Sequence, residues 1–262
     1  MTAGIQLPDR RRATSTQGRR VLLHTGRLVA FVGADGSGKS TVTTEITRWL
    51  SADIAAVRMY FGSGKGTISL PRRLLELAAA VTRLPARTRR RVSHASIPAA
   101  PAPFHRGAGR SRIRDWGDLL WVLALSRERH ARFRQARRAR DKGMVVICDR
   151  FPQSQFPGLN DGPWLSHWLD HPSWIRRAVA RKERAAFWLA ERCAPDLVVK
   201  LHVPLETALT RRPDVPRAQL TAKLHQLKQL AYPWARRVVD IDAGQSLERV
   251  LFDVKRVVRA CL

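Results

Sequence analysis

Between two apolar segments the chain runs Gly33-Ala34-Asp35-Gly36-Ser37-Gly38-Lys39-Ser40-Thr41, which fits G-x-x-x-x-G-K-[ST] at every position. The run before it, Arg27 to Val32, reads as a short buried strand. The run after it, Thr41 to Leu50, sets Val42, Ile46 and Leu50 on one stripe and reads as a helix. A glycine-rich turn from strand to helix aims backbone N–H groups inward, and the helix start adds partial positive charge at the same place. Gly33, Gly36, Ser37, Gly38, Lys39, Ser40 and Thr41 are therefore expected to wrap the phosphates of a nucleotide. Lys39 is expected on the β/γ-phosphates and the Ser40 hydroxyl on Mg²⁺. The plain alternative is a turn with no ligand. It leaves a complete pattern in the right context to chance.

The rest of the chain alternates in the same way. Further strands are expected at 57–61, 144–148, 197–201 and 238–241, the last one weaker. Helices are expected at about 115–140, 174–193, 205–211, 218–238 and 246–262. This pattern predicts an α/β fold: a doubly wound, five-stranded parallel sheet with helices on both faces. Pro71 to Leu84 reads as an additional amphipathic helix, and Ile97 to Pro103 as an extended linker. The chain divides into a disordered basic arm at 1–26 and a core at 27–262. The core carries a basic, Pro/Ala-rich insertion at about 63–114 and a lid at about 211–222.

Charge is the second constraint. Lysine and arginine total 48 against 21 acids, a formal net charge of +27. The surplus gathers in the arm and in the insertion, where Glu76 is the sole acid between Gly62 and Arg114. Such a field attracts polyanions, so the arm and insertion are expected to meet an anionic membrane surface or nucleic acid. The bland reading is compositional bias, with arginine used in place of lysine. No apolar run approaches the roughly 18 residues of a membrane span, and the N-terminal segment is polar. The cysteines Cys148, Cys193 and Cys261 are scattered without disulfide or zinc spacing. A cytoplasmic setting is expected.

Four further groups bear on chemistry. Asp149 and Arg150 close the strand that begins at Met144. A carboxylate there lies beside the phosphate loop and can reach Mg²⁺, while Arg150 can reach phosphate oxygens. Asp35 sits inside the loop, where its charge repels a triphosphate, so it is expected to face an acceptor hydroxyl as hydrogen-bond partner or base. Arg127, in Arg127-Glu128-Arg129, could clamp an acceptor phosphate bidentately, against the reading of a solvated helix face. Arg211, Arg212 and Arg217 bracket Pro213-Asp214-Val215-Pro216 and could close over the transferring group, against the reading of an ordinary surface loop. His167 and His171 lack a third ligand and are read as non-metal residues. Trp164, Trp168, Trp174 and Trp188 are read as core or cleft walls.

Together these residues resemble the thymidylate kinase family of P-loop nucleoside monophosphate kinases, from about Arg27 to the C-terminus. Phe31 to Thr41 is similar to the family's loop, including the acid at Asp35, which in the family approaches the sugar 3′-hydroxyl. Leu119 to His130 resembles the helix whose arginine, here Arg127, binds the acceptor phosphate. Cys148-Asp149-Arg150-Phe151 resembles the Asp-Arg-Tyr motif, with Phe for Tyr. Pro195 to Pro204, then Ala208 and Arg211-Arg212, is similar to the family's strand and lid entry. Val239-Asp240-Ile241-Asp242-Ala243 resembles the loop bordering adenine, which places Asp242 and Ala243 at the nucleotide. The loop has no arginine of its own, like family members that supply the catalytic arginine from the lid.

Two family segments are missing. Phe61 to Thr67 replaces Arg-Glu-Pro-Gly-Gly-Thr, and Pro152 to Gly158 does not resemble the base-reading segment. The resemblance implies an ATP- and Mg²⁺-dependent kinase acting on a small-molecule phosphate acceptor, with dTMP the first candidate and a homodimer a further expectation. The alternatives are a kinase of the same fold acting on a sugar, nucleoside or lipid-linked metabolite, and a nucleotide-switched protein that binds nucleic acid or membrane.

Overall fold

Alternate residues of β1 (Arg27–Gly33) enter two separate cores. Val29 and Phe31 pack with Val42, Ile46 and Leu50 of α1 (Lys39–Leu50). Leu28, Ala30 and Val32 pack with Phe133 and Ala136 of α2 (Arg112–Asp141). A strand buried on both faces has no polar side, and this is why its sequence reads as a continuous apolar run. The computed structural model describes residues 23, 25–62, 112–157 and 161–262.

The remaining strands are β2 (Ala56–Tyr60), β3 (Val145–Asp149), β4 (Leu197–His202) and β5 (Val238–Asp242). All pairings are parallel, in the order β2-β3-β1-β4-β5. The helices after β3 are α3 (Trp174–Arg192), α4 (Leu205–Arg211), α5 (Arg217–Gln229) and α6 (Leu247–Arg259). Val250, Val254 and Val257 of α6 join the α1 core, whereas Ala190 of α3 and Leu227 of α5 join the α2 core. The sheet is thus doubly wound. After β1 the chain builds one side of the sheet, and it later returns to build the other. That reversal opens a crevice at the carboxyl end of β1, where ligands bind in such sheets. Among the described residues no helix is long and apolar enough to cross a membrane.

Residues 1–22 and 24 of the basic arm, the segment Pro71 to Leu84 and the linker at 97–103 lie outside the described residues, whereas Leu23 of the arm donates its N–H to the Gly143 carbonyl at 2.9 Å and packs against the α1 core. Two expectations change within the described residues. The helix expected at 218–238 ends at Gln229. Leu230 turns extended, Leu230 and Tyr232 insert into the α2 core, and Pro233 could not have continued the ladder. The tryptophans also divide. Trp168 is buried and Trp164 packs beside it, but Trp174 is 71% exposed and Trp188 60%, so neither belongs to the core.

Asp196 ties three elements together just before β4. Its carboxylate accepts the Leu28 N–H at 2.9 Å and pairs with Arg140 of α2 at 3.3 Å. Asp196→Ala would strand a buried N–H and an arginine. It should lower unfolding free energy by about 1–3 kcal/mol in urea titration, with Asp196→Asn losing less.

Candidate active site

The phosphate loop folds as a left-handed glycine turn on the end of β1. Gly36 has φ 83°, and a β-carbon on it would lie 2.9 Å from the Ala208 carbonyl of α4. Only glycine meets both conditions. Gly38, also left-handed, precedes α1 with no side-chain cap, so the first-turn N–H groups of α1 face the loop's concavity uncapped. Lys39 is buried and curls back onto the loop, donating to the Ala34 carbonyl at 2.6 Å. Burial, followed by repulsion from Arg150, pulls its pKa from 10.5 down to about 7, against the pull of Asp35, Asp161 and Asp149.

Strand register decides what meets this loop. Phe31 of β1 lies opposite Asp149 of β3, and the Arg150 N–H donates to the Phe31 carbonyl at 3.0 Å. Asp149 is fully buried. Its Oδ2 accepts from Ser40 Oγ at 2.9 Å and from Arg58 of β2 at 2.5 Å. Its Oδ1 has no hydrogen-bond partner among the described residues. An orphaned carboxylate oxygen beside a serine hydroxyl fits Mg²⁺, which takes one or two protein ligands and completes its shell with phosphates and water. No cluster of three or more His, Cys, Asp or Glu suited to a metal occurs among the described residues.

Arg150 reaches the acid of the phosphate loop. Its backbone is left-handed (φ 69°), a conformation that costs a non-glycine residue about 1–2 kcal/mol. Its guanidinium bridges Asp161 and Asp35, each at 3.2 Å. Asp161 is itself left-handed. The stem of Arg150 passes so close to Gly62 that a β-carbon there would sit 2.3 Å from Arg150 Cδ. This gives a physical reason for Phe61-Gly62 after β2. Asp35 also pairs with Lys223 of α5 at 2.5 Å. Burial raises the Asp35 pKa, but Lys223 and Arg150 outweigh it and hold the carboxyl far below its ordinary range. A small cleft between Lys39, Arg150 and Asp161 is walled by Phe151 and Leu230 and capped by Tyr232. The buried Tyr232 hydroxyl has no hydrogen-bond partner among the described residues.

The lid arginines occupy different stations. Arg211 donates to the carbonyls of Gly36 and Ala243, both at 3.2 Å, and so links the phosphate loop to the loop after β5. That loop is turned by Asp242, whose side chain accepts the Gly244 N–H at 2.8 Å. Arg212 holds Asp214 at 2.7 Å and Arg217 holds Glu206 at 2.5 Å, all with substantial solvent exposure. Arg127 is exposed on α2 and has no ion pair among the described residues, whereas Arg129 is buried over Phe187 at 4.8 Å. The structure therefore pairs Ser40 with Asp149 and Asp35 with Arg150, sets Lys39 on the loop's Ala34 carbonyl, brings Arg211 to the loop's rim, and holds Arg212 on Asp214 and Arg217 on Glu206 of α4. Arg58, Asp161 and Lys223 were missed in sequence. Each belongs to a segment without a motif, and only the fold brings it to the loop. His171 accepts the Ser173 N–H at 3.0 Å and serves as a local cap.

No protein-family profile matches the chain. It is 27% identical over 237 residues to the ATP-binding protein YghS of Escherichia coli K12, covering 90% of this chain and 94% of the relative. It is 28% identical over 239 residues to the ATP-binding protein YghR of the same organism, covering 88% and 86%. A thymidylate kinase of Limosilactobacillus fermentum is 25% identical over 248 residues, covering 90% and 96%.

Lys39 yields a signed pH prediction. At pH 8 it is mostly neutral in the free protein, because its pKa has fallen to about 7. A polyphosphate beside it restores the charged form. ATP binding at pH 8 should therefore take up close to one proton, read from calorimetry in buffers of different ionisation enthalpy. Uptake should vanish in Lys39→Met and shrink at pH 6.

Proposed function

We propose that this chain, a divergent P-loop protein of the nucleoside monophosphate kinase type, transfers the γ-phosphoryl group of ATP to a phosphorylated small-molecule acceptor. The acceptor is a nucleoside monophosphate, with dTMP the first candidate. The observation that carries this reading is the meeting of two poles at Asp149 and Arg150. Asp149 engages the phosphate loop through Ser40, and the neighbouring Arg150 engages the loop's own acid, Asp35. Relatives named as ATP-binding proteins and as thymidylate kinases support the same reading.

The roles follow from charge. Lys39, Arg150 and the N–H groups of the loop neutralise charge on the transferring group, and Arg211, Arg212 and Arg217 of the lid add to this when they leave their present partners. Ser40 and Asp149 would hold Mg²⁺, which supplies charge neutralisation between phosphate oxygens. Asp242 and Ala243 would border the nucleotide, on the loop that Arg211 ties to the phosphate loop. The γ-phosphorus bond to the bridging oxygen breaks, an acceptor oxygen bonds to that phosphorus, and ADP leaves.

The acceptor class rests on Asp35. A carboxylate held that far below its usual range accepts hydrogen bonds but does not take a proton near neutrality. A neutral hydroxyl acceptor needs a base. A phosphate monoester, with a second pKa of about 6, is already ionised. The site therefore suits a phosphate nucleophile, with Lys223 and Arg150 remaining on Asp35 while its other lone pairs accept from an acceptor hydroxyl. Exposed Arg127 suits the acceptor phosphate, and the Tyr232 hydroxyl offers a donor at the cleft.

ADP release across a panel of nucleoside monophosphates, nucleosides and sugars tests this. Turnover is expected with dTMP or another nucleoside monophosphate, and should fall on the order of 10²–10³-fold or more in a folded Lys39→Ala protein. Arg127→Ala should raise the acceptor KM by about 100-fold while leaving the ATP KM near wild type. Turnover confined to unphosphorylated acceptors would overturn the acceptor assignment, and ATP binding without any acceptor would overturn the kinase assignment.

A further inference from the structure

Helix α3 presents a face that the sheet does not use. Residues on an α-helix turn by about 100° each, so Trp174, Ala178, Arg181, Ala185, Trp188 and Arg192 fall on one narrow stripe. All six are exposed. The opposite face carries Ala180, Glu183, Ala186, Phe187 and Ala190, all buried. The two tryptophans stand about 21 Å apart along the axis. The alanines between them leave the stripe flat, and Arg192 stacks its guanidinium over the Trp188 ring at 5.3 Å. Arg177 and Arg184 flank one side and Lys182 and Ile175 the other.

The acids of this helix do not offset the cations. Glu183 is buried and accepts the Trp164 and Leu165 N–H groups, and Glu191 accepts from Ser154. Exposed tryptophan set among arginines and a lysine suits a surface that is apolar below and negative above. An anionic bilayer takes indole rings at its headgroup level and arginine stems that reach up to phosphate. A second copy of this face would bring Arg181 and its neighbours against themselves. Residues 63–111, with ten lysines and arginines and one acid, would repel it likewise.

We propose that the outer face of α3 docks on an anionic phospholipid surface, with Trp174 and Trp188 entering the headgroup region. The face lies outside the catalytic machinery and the proposal does not depend on the kinase reading.

Full-length protein should be mixed with phosphatidylglycerol vesicles and, as control, with phosphatidylcholine vesicles. Because residues 63–111 could hold vesicles by charge alone, insertion is read separately through quenching of tryptophan fluorescence by brominated acyl chains. Quenching is expected on anionic vesicles and should be largely lost in the Trp174→Phe/Trp188→Phe protein. Trp174→Ala/Trp188→Ala should weaken vesicle binding on the order of tenfold or more, and Arg181→Ala about fivefold. ATP binding should not change in these variants. Undiminished quenching in the Phe variant would overturn the proposal. So would equal binding of the Ala variant, a dimer in sedimentation that this variant abolishes, or nucleic acid binding through this face without vesicle binding.

Discussion

The contact between Ser40 of the phosphate loop and Asp149 at the end of β3 organises the rest of the site. It exists because β1 and β3 are adjacent and in a register that sets Phe31 opposite Asp149. A slip of one residue would turn Asp149 to the other face of the sheet and leave the loop without its carboxylate. The same register delivers Arg150 one residue later, beyond the last ladder bond, where the chain turns left-handed and the guanidinium swings toward Asp35. The residue that meets Ser40 and the residue that meets Asp35 are thus consecutive at one strand end.

The electrostatics explain how so many charges share a small volume. Asp149, Asp35 and Asp161 face Arg58, Arg150, Lys223 and Lys39, and every acid in the set has a cation against it or nearby. The exceptions are informative. Burial pulls the Lys39 ammonium well below its ordinary range, and Asp149 keeps one oxygen with no described partner. Both shortfalls are of the kind that a polyphosphate and its metal ion remove. A buried site that leaves such groups unsatisfied carries a cost in the free protein and gains it back as affinity.

Much of this was legible in the sequence because it is local. The strand, glycine turn and helix around Lys39 are one continuous stretch with its own period and motif, and the apolar runs of β3 and β4 announce strands covered on both faces. What could not be read depends on register or on distance along the chain. Arg58, Asp161 and Lys223 sit in unremarkable segments and meet Asp149, Arg150 and Asp35 only through the folded sheet. The end of α5 was misplaced because Leu230 and Tyr232 continue an apolar pattern while leaving the helix to fill the core. Trp174 and Trp188 stand in solvent where core or cleft walls are expected, because hydrophobic identity alone does not say which face of a long helix is covered.

With ATP bound, the Asp149 oxygen that has no partner among the described residues and the Ser40 hydroxyl would form the divalent-metal seat beside the phosphate loop. Electron paramagnetic resonance of Mn²⁺ bound with ATP tests it most directly. The account predicts a narrow-line ternary complex in the wild-type protein that weakens by about tenfold or more in Asp149→Asn with the fold intact. An unchanged ternary complex in that variant would contradict it.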